Sequence, residues 1–110
     1  MNLTTAPGDL YSVVRIEGRL TATSVGSVKT AISDLIDSGH VRIAVDLSET
    51  PFIDSSGLGV LIGGLKSARQ AGGDLRIAGA TDAVRKVLAL TNLDRVLRNH
   101  SSAQEAFDGR

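Results

Sequence analysis

The 110-residue chain contains no cysteine and no tryptophan, and only one tyrosine and two phenylalanines. Without cysteine there are no disulfides and no thiolate metal sites, which fits the reducing environment of a cytoplasm. With aromatics at 3%, the stacking platforms that hold single-stranded nucleic acid are lacking, and aliphatic side chains must build the core. Charge of one sign is lacking too. Twelve Lys and Arg balance twelve Asp and Glu, with none of the basic stripe that marks a nucleic-acid binder. No apolar run approaches the roughly 20 residues of a membrane span. The start, Met1-Asn2-Leu3-Thr4-Thr5-Ala6-Pro7-Gly8, has neither the basic residues nor the apolar run of a signal peptide. The expectation is a soluble cytoplasmic module that binds neither nucleic acid nor membrane. Its hydrophobic content of 42% suffices for a single core, and no repeat or linker divides residues 1–110, so one domain is expected.

What is present is organised around Val45 to Gly73. A β-branched run over Val41–Leu47 reads as a buried strand, and Pro51 interrupts it. Phe52-Ile53 then leads into the polar cluster Asp54-Ser55-Ser56-Gly57. Leu58, Leu61, Ile62, Leu65 and Ala68 follow at the spacing of one helix face, and Gly72-Gly73 stops that helix. The serines therefore stand where a strand hands over to a helix, beside N–H groups that lack intrahelical partners. Such a position suits a capping side chain and also a phosphate.

Upstream, Pro7-Gly8-Asp9 signals a turn, and Tyr11–Gly18 reads as a strand with Tyr11, Val13 and Ile16 inward. Leu3-Thr4-Thr5 is a short antiparallel partner. Val25, Val28, Ile32, Leu35 and Ile36 share a helix face, with Thr21, Thr23 or Ser24 as the cap and Ser38-Gly39-His40 as the end. Downstream, Leu75–Gly79 reads as a strand and Thr81-Asp82-Ala83 as a helix start. That helix has Val84, Val87, Leu88 and Thr91 on its face and Asn92 at its end. Val96-Leu97-Arg98 reads as a last strand, with Ser101 capping a final helical turn. Alternating strands and helices imply crossover connections and mainly parallel pairing. The expected fold is α/β, with a mixed sheet of four to five strands, mostly parallel but antiparallel at the N-terminal strands, and about four helices.

Catalytic patterns fail one by one. Gly57-Leu58-Gly59 lacks the third glycine of a dinucleotide fingerprint, because Ile62 stands there. Gly59 to Gly64 followed by Lys66-Ser67 misses a phosphate loop by the intervening Leu65, and it lies inside a helical pattern. Ile53 and Asp54 occupy the upstream positions where a serine-hydrolase elbow needs glycine. His40 and His100 read as surface turn residues, Asp46 and Glu49 as solvated carboxylates of a strand and a turn. No active site assembles, so neither an enzyme nor a bound cofactor or metal is expected.

Two readings of Asp54-Ser55-Ser56-Gly57 stand on the residues alone. One is helix capping. The other is an interface that covalent modification switches. A cap explains one residue, not the cluster, nor the glycines at 57, 59, 63 and 64, each costing roughly 1 kcal/mol relative to alanine in a helix. Gly57 and Gly59 would leave the first turn bare for close approach, and Gly63 and Gly64 would permit tight packing. A phosphoserine adds about −1.5 to −2 charges, which a helix N-terminus tolerates but a docked partner does not.

Val45-Asp46-Leu47-Ser48 followed by Phe52-Ile53-Asp54-Ser55-Ser56-Gly57-Leu58-Gly59-Val60-Leu61 resembles the signature of the STAS domain, specifically of bacterial anti-sigma factor antagonists. The resemblance extends to Glu17-Gly18-Arg19-Leu20, Leu75–Gly79 and Val87–Leu93. It implies a partner-switching protein without catalysis of its own. The unphosphorylated form binds an anti-sigma factor that is also a GHKL-type serine kinase, freeing the sigma factor. Phosphorylation dissolves the complex, and a PP2C-type phosphatase reverses the mark. Carried onto this chain, the phosphoacceptor is Ser56, with Ser55 secondary. Asp54 positions the hydroxyl or the kinase's nucleotide, and Gly57, Leu58 and Gly59 belong to the docking surface. The resemblance also implies a monomer when free. Gly18-Arg19-Leu20-Thr21 departs from the family's Gly-Glu-Leu-Asp pattern, so Arg19 and Thr21 are expected to alter partner choice at the docking rim. The alternative is a STAS module serving as a fixed subunit of a transporter or lipid-transport assembly. Retention of the serine pair argues against it.

Overall fold

In the computed structural model, which describes residues 1–108, the chain forms a five-stranded sheet in the order β1-β2-β3-β4-β5. The strands are β1 (Asn2–Ala6), β2 (Ser12–Glu17), β3 (Arg42–Glu49), β4 (Asp74–Ala78) and β5 (Asn99–His100). β1 runs antiparallel to β2, and every other pairing is parallel. The helices are α1 (Val25–Asp37), α2 (Ser55–Gln70), α3 (Asp82–Leu90) and α4 (Ala103–Ala106), with a 3-10 turn at Leu93–Arg95. This is the mixed α/β architecture expected.

The main core forms between one sheet face and α1, α2 and α3. Val14, Ile16, Ile43, Val45, Leu47, Leu75 and Ile77 from the strands meet Val28, Ile32, Leu61, Leu65 and Leu88 from the helices. On the other face α4 closes a small cluster of Ala44, Ala106 and Phe107. There the Phe107 ring stacks on Tyr11 at 5.7 Å and lies under the Arg76 guanidinium at 4.6 Å. β3 is thus buried on both faces at Ile43, Ala44 and Val45, as a central parallel strand should be.

Alternation along β2 corrects the expected inward set. Residues two apart share a face, so Tyr11 and Val13 cannot point with Ile16. The residues facing α1 and α2 are Val14 and Ile16. Tyr11 lies on the α4 side, and buried Ser12 accepts the Gly8 N–H through its hydroxyl at 3.3 Å. The last strand is Asn99–His100 rather than Val96–Arg98, because the 3-10 turn occupies the preceding residues and Leu97 plugs the core. His100 accordingly lies in an edge strand, where its carbonyl accepts the Gly79 N–H at 2.8 Å. Ser102, not Ser101, caps α4 by accepting from the Glu105 N–H. Glu49 ends β3 rather than sitting in a turn.

The helix ends follow their side chains. Thr81 caps α3 by accepting from the Val84 N–H, and Asn92 takes a left-handed conformation just after it. Gly39, at φ +87°, ends α1 while the His40 N–H donates to the Leu35 carbonyl at 2.8 Å. Ser24 stands at the start of α1 without capping it. Its hydroxyl donates to the Arg19 and Thr21 carbonyls and accepts from the Thr21 N–H, so it braces the incoming loop. Among the described residues no helix is long and apolar enough to cross a membrane.

Candidate functional site

Two connections leave the sheet side by side, β2 to α1 and β3 to α2, and are stitched together before either helix begins. Leu20 and Ile53 form an isolated parallel bridge. The Leu20 N–H donates to the Phe52 carbonyl at 3.0 Å, and the Asp54 N–H donates to the Leu20 carbonyl at 3.2 Å. Both side chains are buried, so the polar residues that follow each are held at one rim. The register shift between Arg15 and Glu17 on β2 occurs just below. There buried Thr50 closes the gap by donating its hydroxyl to the Ile16 carbonyl at 2.8 Å.

Asp54 does double duty at this rim. One carboxylate oxygen accepts the Gly57 N–H at 3.0 Å, capping α2. The other accepts the Ala22 N–H at 3.2 Å, tying the β2–α1 loop to the helix start. Ser55 and Ser56 are the first two residues of α2. Ser55 is exposed and Ser56 half-buried, and neither hydroxyl makes a hydrogen bond among the described residues. The capping work is therefore done by Asp54, which leaves both serines free for other chemistry.

Beside them Arg19 lies over the Phe52 ring at 4.7 Å from its centroid. Phe52 is 39% exposed, a large apolar side chain on the rim with a cation laid across it. Thr21 is half-buried, and its hydroxyl pairs with that of Thr23 at 3.1 Å.

The structure thus brings Asp54, Ser55, Ser56, Arg19 and Thr21 to one edge. Gly57 and Leu58 point the other way. Gly57 is buried where a Cβ would come 2.6 Å from both the Ile53 side chain and the Leu20 carbonyl, and Leu58 is 7% exposed. These two seat the helix on the bridge instead of offering a surface. Gly59 is exposed, with open space where its side chain would be. Gly64 packs against Leu75 and Ile32, whereas its neighbour Gly63 is open.

Sequence reasoning did not anticipate the groove that α1 and α2 enclose. It is a cavity of about 380 Å³ lined along α1 by Val25, Gly26 and Lys29 and along α2 by Ser56, Gly59 and Gly63, among others. A wider cleft of about 780 Å³ lies between β1 and the other flank of α1 and touches none of the rim residues. No group of three His, Cys, Asp or Glu that could hold a metal occurs among the described residues. Asp46 and Glu49 share Arg15 in loose ion pairs at 3.9 and 3.7 Å, too exposed to contribute much stability.

The STAS domain family model matches residues 1–106. The chain belongs to the STAS domain family. It is 34% identical over 80 residues to a Thermotoga maritima protein named as an anti-sigma factor antagonist, covering 73% of this chain and 71% of that one. It is 28% identical to the anti-sigma-B factor antagonist of Staphylococcus aureus, over 84% of this STAS chain and 86% of the relative. The crystal structure of a Thermotoga maritima protein likewise named as an anti-sigma factor antagonist superposes with a TM-score of 0.88 at 28% identity, covering 97% and 92% of the two chains.

Proposed function

We propose that this STAS domain is an anti-sigma factor antagonist whose rim around Ser56 docks on an anti-sigma factor that is also a serine kinase, and that phosphorylation of Ser56 ends the docking. The observation carrying this reading is the division of labour at the start of α2. Asp54 alone caps the helix, while the Ser56 hydroxyl, one residue into it, has no partner among the described residues and opens on the groove. The names of the relatives support the antagonist role.

In the transfer step the Ser56 Oγ attacks the γ-phosphorus of kinase-bound ATP. The bond from that phosphorus to ADP breaks, and the hydroxyl proton passes to a base of the kinase. The added charge of about −1.5 to −2 sits at a helix N-terminus, where the fold tolerates it. A partner seated on the same rim meets it as unpaired charge in a desolvated contact, which is costly. A PP2C-type phosphatase restores the docking form. Arg19 stacked on Phe52 puts a cation and an apolar ring beside the switch, so the partner surface opposite should be acidic with an apolar recess. The domain itself performs no catalysis.

Titration of the chain against a GHKL-type anti-sigma kinase from the same cell tests this. Ser56→Ala should bind as tightly as the unmodified protein even with ATP present, and Ser56→Glu should bind at least about tenfold more weakly, a 1.4 kcal/mol difference. Equal affinity of all three would overturn the switch and favour a fixed-subunit role.

A further inference from the structure

The mouth of the α1–α2 groove pairs Ser56 with a cation that the docking rim does not use. Lys29 is the one charged residue among those lining the groove. It forms no ion pair among the described residues, whose salt bridges involve Arg15, Arg69, Arg76 and Arg85. α1 and α2 each follow one of two neighbouring parallel strands, so both helices begin at the same rim. Lys29 stands one turn into α1 and Ser56 in the first turn of α2. Helical side chains lean toward the helix N-terminus and cover the turn before their own Cα, so the Lys29 stem leans toward the level of Ser56. Gly26 lines the same groove on the α1 wall and Gly59 on the α2 wall, and a Cβ at either would meet nothing within 4 Å. The two glycines leave both walls free of side chains at this level.

The other charges at this end sharpen the point. Asp54 already places a carboxylate at the start of α2, which disfavours a second anion nearby. Arg19 is laid on the Phe52 ring. Lys29 is the cation that lines the groove itself, where Arg19 does not reach the lining.

We propose that Lys29 binds the phosphoryl group of phosphorylated Ser56 across the mouth of the α1–α2 groove, so that the modified state is held closed by an ion pair between the two helices. This rests on the phosphorylation reading above. It adds that the off state is a defined arrangement, with the phosphate drawn into the groove mouth rather than projecting freely from the rim.

The test installs phosphoserine at position 56 during translation, so that no kinase is needed, and follows the phosphate by ³¹P NMR against pH. A neighbouring cation favours the dianion, so the second pKa of the phosphate should lie below its ordinary value of about 6. Lys29→Gln should raise it by about half a unit or more, while Lys29→Arg should leave it near the unmodified chain's value. Amide spectra of the unphosphorylated variants check that the fold is retained, and Lys29→Met serves as a second neutral variant. Coincident titrations of the unmodified chain, Lys29→Gln and Lys29→Met would overturn the proposal. Because the phosphate is installed synthetically, that outcome is independent of whether cells modify Ser56, which the kinase titration addresses separately.

Discussion

Asp54 and Ala22 stand 32 residues apart in the chain, yet the Ala22 N–H donates to an Asp54 carboxylate oxygen at 3.2 Å while the other oxygen caps α2. One side chain therefore fixes both the start of the helix that carries Ser56 and the neighbouring loop that carries Arg19 and Thr21. It works with the Leu20–Ile53 bridge beneath it to position the rim.

Replacing Asp54 separates its two jobs. Asp54→Ala should destabilise the fold by about 1–2 kcal/mol, since loss of a cap costs about 1 kcal/mol and the loop contact goes with it. Asp54→Ser can keep the cap but not reach Ala22 as well, so it should cost less while loosening the loop. Urea unfolding gives the stabilities, and amide exchange at Ala22 reports the loop. Equal loss for both variants would mean that the cap adds nothing and the Ala22 contact alone matters.

The glycines of α2 should divide by sign. Gly59→Ala and Gly63→Ala enter open space and should each raise stability by about 0.5–1 kcal/mol through helix propensity. Gly57→Ala and Gly64→Ala should lower it. The first forces a Cβ to 2.6 Å from the Leu20 carbonyl and the Ile53 side chain, the second to 2.9 Å from Leu75. Thermal melts of the four single variants decide the matter. In kinase binding Gly59→Ala should nonetheless lose affinity, because the new methyl stands beside Ser56 on the exposed turn.

Thr50→Val should show what the buried hydroxyl contributes at the β2–β3 register shift. Thr50 is fully buried and its hydroxyl satisfies the Ile16 carbonyl at 2.8 Å. Valine keeps the shape and removes the donor, leaving a buried acceptor short of a partner at a cost of about 1–3 kcal/mol. A denaturation midpoint unchanged from the parent chain would show that the shift is held by the backbone alone.

Much of this was legible in the sequence where one element's own periodicity decides. The faces of α1 and α2 follow from apolar residues at helical spacing, and Pro51 and Gly72-Gly73 bracket the turn and helix that carry the serines. The strand assignment of β2 succeeded while its inward face did not. Ser12 is buried through a local hydrogen bond to Gly8, and Tyr11 is half-covered from the opposite side by Phe107, so hydrophobicity did not alternate cleanly. Leu97 drew the start of the last strand three residues early because a buried leucine in a loop looks like one in a strand. The candidate site was visible as the cluster Asp54-Ser55-Ser56-Gly57, but the division of labour within it was not. The second bond of Asp54, the inward packing of Gly57 and the placement of Lys29 and Ser56 along one groove each depend on another element, and no local pattern encodes them.

The central claim is that Ser56 is the phosphorylated residue. Intact-mass and fragment mass spectrometry on protein isolated from its native cells, with and without phosphatase treatment, tests it most directly. The account predicts a population heavier by a single phosphate that fragmentation places on Ser56 and phosphatase removes. Protein that stays unmodified across several growth conditions, or a phosphate mapped away from the start of α2, would contradict it.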